Sequence, residues 1–149
     1  MWLVASPGYF EAMGIRLAAG RLFDGRDADP ALTPAVVDRS WAEAVFPGQD
    51  PLGRRLYEGG CRAPECSVVE VVGVVEDVKY LGLGDARESG VVGTVYVPQD
   101  RWLASRTSLF VRVAGGDPLA LLAPIRDIVR TLDPGTALAD VATADRLVD

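Results

Sequence analysis

The stretch that most constrains this chain is Val68 to Val78, VVEVVGVVEDV, with seven valines in eleven residues. β-Branched side chains are stiff at χ1 and suit an extended backbone better than a helix. Simple alternation puts Val69, Val71 and Val75 on one face and Val72, Val74 and Val78 on the other. A strand that is apolar on both faces must be covered on both, so this one is expected inside a sheet. Glu70 and Glu76, near its ends, are expected to reach solvent. Gly73 predicts a bulge or a close backbone approach. With 49% hydrophobic residues among 149, the chain can cover such a strand and is not a disordered composition.

On the N-terminal side, Trp2–Ala5 reads as a short strand. Ser6 is placed to cap a helix with Pro7 at its first position and Gly14 past its end. Tyr9, Phe10 and Met13 share one side of it, a core patch at helical spacing. Ile15–Gly20 reads as a connection anchored by Ile15 and Leu17. Ala35–Asp38 is a strand, and Asp38 or Ser40 caps a helix with Trp41 and Val45 one turn apart on its buried side. Arg54–Glu58 pairs with the valine strand as a hairpin whose loop carries Cys61 and Cys66.

On the C-terminal side, Lys79–Gly93 reads as a surface excursion, and Tyr80, Leu81 and Leu83 within it are taken as part of a partner contact. Thr94–Val97 is a strand stopped by Pro98. Thr107–Ala114 alternates as a strand, Asp117 caps the longest helix, Leu119–Leu132, and Leu138–Val141 is a last strand. Pro124 should kink that helix. Thr143 could cap a further helix from Ala144. The class is α+β.

Chemistry is sparse. The chain has no histidine, which removes the commonest general base and metal ligand. It contains no phosphate-binding glycine motif and no nucleophile elbow. Asp24, Asp27 and Asp29 lack the spacing and distal Glu of a calcium loop and read as a solvated acidic turn. A net charge of −6 argues against a nucleic-acid partner. Cys61 and Cys66 can form a disulfide, remain thiols or supply half of a metal site. The disulfide is the adopted reading, worth about 2 kcal/mol in so small a loop, and it implies an oxidising compartment. No catalytic, cofactor-binding or metal residue is assigned. No apolar run approaches the length of a membrane span and no signal peptide is read at Met1–Tyr9, so this polypeptide is expected to be soluble by itself.

Several segments, in order, carry a resemblance: Ser6–Phe23 (SPGYFEAMGIRLAAGRLF), Ala35–Val37, Phe46–Gly53 (FPGQDPLG), Val71–Tyr80 (VVGVVEDVKY), Val95–Pro98, Leu109–Val113, Asp117-Pro118 and Leu132–Pro134. Together they resemble the MacB-like extracytoplasmic domains of ABC transporter permeases in the MacB and FtsX-like superfamily. The resemblance implies two small lobes. One is a βαβ-type, porter-like lobe from 1–20 and 106–149, incomplete because the family domain starts with a further strand and helix. The other is an inserted mixed lobe, 21–105, around the valine strand. It also implies a non-catalytic domain outside the membrane, tethered to the membrane helices of its parent permease. ATP would be hydrolysed by a separate domain or subunit. The outside partner would be an adaptor, a lipoprotein, the substrate or a second copy. A stand-alone ligand-binding or sensory module is the alternative.

Overall fold

The computed structural model describes residues 1–24, 27, 32–57, 68–78, 92–101 and 107–143. The chain divides into two compact units, Met1–Ser108 and Leu109–Asp149. The first contains β1 (Trp2–Ala5), α1 (Tyr9–Met13), β2 (Leu17–Gly20), β3 (Thr33–Asp38) and α2 (Arg39–Val45). It continues with β4 (Arg55–Tyr57), β5 (Val68–Val75), β6 (Val95–Pro98) and a 3-10 turn at Gln99–Arg101. The second contains a 3-10 turn, Pro118–Leu121, and α3 (Leu122–Leu132). The fold class is α+β.

The six strands among the described residues form one mixed sheet, in the order β1-β6-β3-β5-β2, with β4 also paired to β5. The pairs β1–β6 and β3–β5 are parallel; β3–β6, β2–β5 and β4–β5 are antiparallel. β3 takes one edge of β5, while β4 and β2 share the other, opposite Val68–Glu70 and Gly73–Val75 respectively. The valine strand is therefore interior, as its two apolar faces require, and it ends at Val75. The partition of 1–20 from 21–105 expected from sequence cuts through this sheet, since β1 and β2 lie in it beside β6 and β5.

The register explains a correction. Ala35 pairs with Val71, but the next residue, Val36, pairs with Gly73, so Val72 is the extra residue of a bulge. The bulge shifts the alternation by one. Val69, Val71 and Val74 enter one core, with Ala35, Val37, Ala42, Val95 and Val97. Val75 enters the other, with Ala5, Phe10, Phe23, Val36 and Tyr96, and Val72 packs against its margin. Simple alternation put Val75 with Val69 and Val71. Gly73 is needed at the bulge because a Cβ there would run into the Arg21 carbonyl oxygen.

α2 covers the first core. Asp38 caps it by accepting from the Trp41 N–H at 2.8 Å, and Trp41, Leu52 and Leu56 each pack against that core. Its buried residue is Ala42; Val45, expected inside, is 44% exposed. The second core is aromatic. The Phe10 ring meets Tyr96 at 5.0 Å and Phe23 at 5.8 Å between centroids, and Phe10 is completely buried, worth about 1.5–3 kcal/mol. Ser6 does not cap α1 with its side chain. Its carbonyl accepts from Tyr9 N–H at 3.1 Å, and left-handed Gly14 closes the helix. Ile15–Gly20, expected as a connection, includes β2. Its short, exposed Leu-Ala-Ala-Gly carries no strand signature and is extended because β5 offers it a ladder.

In the second unit Asp117 caps as expected, its Oδ1 accepting from Leu119 N–H at 2.9 Å. The first turn is 3-10, and the α-helix starts at Leu122. Pro124 thus falls in the first turn of α3, directly after the 3-10 turn, where a missing N–H costs the α-helix least. Leu122, Ile125 and Val129 are half-buried and no residue of α3 is buried. Thr107–Ala114 and Leu138–Val141, expected as strands, belong to no ladder among the described residues. Alternation reports two unlike faces, whereas a strand also needs a neighbouring backbone to pair with. Asp140 moreover has a left-handed φ of 54°. The stretch from Ala144 lies outside the described residues.

Candidate functional site

β1 and β6 run parallel and end in register, Ala5 opposite Pro98. The chain leaves both strands on the same side of the sheet, which brings Ser6 and Pro7 beside Gln99 and Asp100. The segment following β2 adds Phe23, Asp24 and Asp27. These residues and Pro98 line an open cleft of about 560 Å³. Its apolar lining is Phe23 and the two prolines, and its acidic lining is Asp24, Asp27 and Asp100.

Arg21 organises the acidic segment. Its Nη1 and Nη2 donate to the two carboxylate oxygens of Asp27 at 3.0 and 2.6 Å, Nη1 also donates to the Leu22 carbonyl at 3.1 Å, and Asp24 stands 3.7 Å away. The Asp24 N–H donates to Asp27 Oδ2 at 2.7 Å. Burial by itself would raise the Asp27 carboxyl. The hydrogen bonds from Arg21 and the Asp24 amide, with the charge of Arg21, outweigh it and hold the group below its ordinary value. Forked guanidinium–carboxylate pairing fixes geometry as well as charge. This donor set can fold a turn and present negative charge; Ser6 has no histidine anywhere in the chain to activate it. Among the described residues no group of three His, Cys, Asp or Glu side chains could hold a metal ion.

The residues singled out from sequence, Cys61 and Cys66 in one segment and Tyr80, Leu81 and Leu83 in another, all lie outside the described residues. Sequence reasoning saw the aspartates and missed Arg21. The usable signal was an arginine three and six residues before two of them.

No helix among the described residues is long and apolar enough to cross a membrane. The model of the MacB-like periplasmic core domain family matches residues 2–143. The macrolide export ATP-binding/permease protein MacB 2 of Aeromonas hydrophila is 33% identical over 116 residues, which are 76% of this chain and 17% of that protein. The MacB protein of Neisseria gonorrhoeae is 35% identical over 48 residues, 32% of this chain and 8% of that one. This chain therefore spans under a fifth of the length of these relatives. Among solved structures, the periplasmic region of MacB from Actinobacillus actinomycetemcomitans aligns with a TM-score of 0.57 at 21% identity, over 85% of this chain and 54% of that one. A domain of a putative permease from Porphyromonas gingivalis aligns at 0.54 and 18% identity, over 97% and 69%. These two likenesses concern the fold. With its interior valine strand and the family match over nearly its whole length, the chain belongs to the MacB-like periplasmic core domain family.

Proposed function

We propose that this domain couples movement of the membrane helices of an ABC transporter permease to a partner or substrate outside the membrane, and catalyses nothing itself. The observation that carries this reading is the family match over residues 2–143. The build of the first unit agrees with it. A sheet cored on both faces, with its longest strand paired on both edges, moves as one body and transmits displacement without absorbing it. Gly115-Gly116 is the proposed joint, with Gly116 at φ +85° and open space around both residues; Gly82–Gly84 is a second, on sequence grounds. ATP binding and hydrolysis fall to a separate domain or subunit. An adaptor, a lipoprotein or a second copy is the outside partner, contacted in part through Tyr80, Leu81 and Leu83, and Cys61 and Cys66 are bonded.

Excising the domain from the full-length permease tests this. Transport should be lost while the ATPase part still binds ATP. Normal export by the truncated transporter, or turnover of a substrate by the isolated domain, would overturn the reading.

A further inference from the structure

Asp38 ends β3, opens α2 and is 2% exposed. Its Oδ1 accepts from Trp41 N–H and its Oδ2 from Thr94 N–H, each at 2.8 Å, while its own N–H donates to the Thr94 carbonyl at 3.0 Å. One carboxylate thereby joins the start of α2 to the residue that leads into β6. Among the described residues no Arg or Lys pairs with it: the adjacent Arg39 is engaged by Glu76 at 3.0 Å. A second carboxylate stands at the same helix turn. Asp77, in the segment leaving β5, accepts from Ser40 N–H at 2.8 Å, one residue before the amide that Asp38 receives. On the β6 side the Met1 ammonium donates to the Gly93 carbonyl at 2.6 Å. The backbone of Gly93 lies so close that a Cβ there would clash with Asp38 Oδ1. The charged groups around Asp38 are thus Asp77 and the Arg39–Glu76 pair, with the Met1 ammonium on the lead into β6.

We propose that Asp38, with Asp77 beside it, forms a proton-responsive latch on this corner: in acid Asp38 takes up a proton from solvent, and α2 is then held to the start of β6 with no buried negative charge. The geometry supplies the cause. A carboxylate taken out of water without a counter-ion, beside a second carboxylate, favours its neutral form. Burial first, and then the charge of Asp77, push the Asp38 carboxyl above its ordinary 3.8, against the Trp41 and Thr94 donors, which pull it down. With the folded value raised, the contribution of Asp38 to stability is fully present below 3.8 and is lost as pH rises through the folded value. Acid therefore favours the closed latch.

The test is a pH titration of backbone amide shifts by NMR in the whole chain. The Trp41 and Thr94 amides report the charge of Asp38. Trp41 and Thr94 should share one midpoint above 3.8. Asp77→Asn should move that midpoint down, and Asp38→Asn should abolish it. Asp77 is exposed, so its substitution leaves the cores intact and keeps the proposal testable if Asp38→Asn does not fold. A shared midpoint at or below 3.8 in the wild type, or one that Asp77→Asn leaves in place, would overturn the latch.

Discussion

Replacing Gly73 with alanine puts one methyl group at the tightest backbone crossing of the sheet. The new Cβ would overlap the Arg21 carbonyl oxygen and lie 3.0 Å from its carbonyl carbon and 3.4 Å from its nitrogen. These are main-chain atoms and cannot rotate away. Arg21 is itself fixed, by its N–H to the Val72 carbonyl at 3.0 Å and by the fork on Asp27. Relief requires the β2 end and the bulge to separate. Overpacking of this kind costs about 1–3 kcal/mol, and losing the Arg21–Val72 hydrogen bond adds about 1 kcal/mol, for a total of about 2–4 kcal/mol. That is a large share of the roughly 5–15 kcal/mol that holds a domain folded, and about 4–16 °C in Tm at this size. Gly8→Ala is the control. Gly8 has φ −77° and nothing within 4 Å of the added Cβ, so it should be neutral or stabilising by up to about 1 kcal/mol. Urea unfolding followed by far-UV circular dichroism compares the three proteins. Gly73→Ala within about 0.5 kcal/mol of wild type, or no worse than Gly8→Ala, would refute the steric argument.

Asp27→Asn should cost about 1 kcal/mol at neutral pH, a modest figure because Arg21 is 30% exposed. Since the folded Asp27 carboxyl lies below its ordinary 3.8, that stability is present above 3.8 and lost as pH falls through the folded value. The urea midpoints of wild type and variant should therefore converge in strong acid, and a gap that stays constant would exclude the ion pair as its source. Cys61 and Cys66 should yield no titratable thiol in protein unfolded without reductant; two thiols after folding under oxidising conditions would reject their pairing.

The interior strand was legible because its seven valines leave no face that tolerates water. Gly73 announced the bulge, yet nothing in VVEVVGVV says whether Val72 or Val74 is skipped. That is decided by β3, whose Ala35 and Val36 pair across it, thirty-odd residues earlier in the chain. Hence Val75 was assigned to the wrong face. β2 was illegible for a related reason: Leu-Ala-Ala-Gly is extended because of its neighbour and shows no preference of its own. The reverse error occurred at Thr107–Ala114, where the local pattern is strong and no described ladder includes it. Asp38 was half legible. Capping is a local grammar written within three residues, but its second oxygen meets Thr94, 56 residues away. Arg21–Asp27 was not legible because a run of aspartates points to a metal or to solvent, whereas the cation that satisfies Asp27 lies six residues before it, ahead of the acidic run.

The bulge also decides how the valines of β5 are divided between the two cores. A regular strand at β5 would send Val69, Val71 and Val75 to one core together. With Val72 left over, Val74 packs beneath α2 while Val75 packs against the Phe10–Phe23–Tyr96 group. The bulge thus moves both Val74 and Val75 to the face opposite the one plain alternation gives them, and the Arg21 backbone lies over Gly73 beside them. Gly73 is where the alternation changes phase and also where the Arg21 carbonyl leaves no room for a Cβ, so register and sterics fix the bulge at the same place.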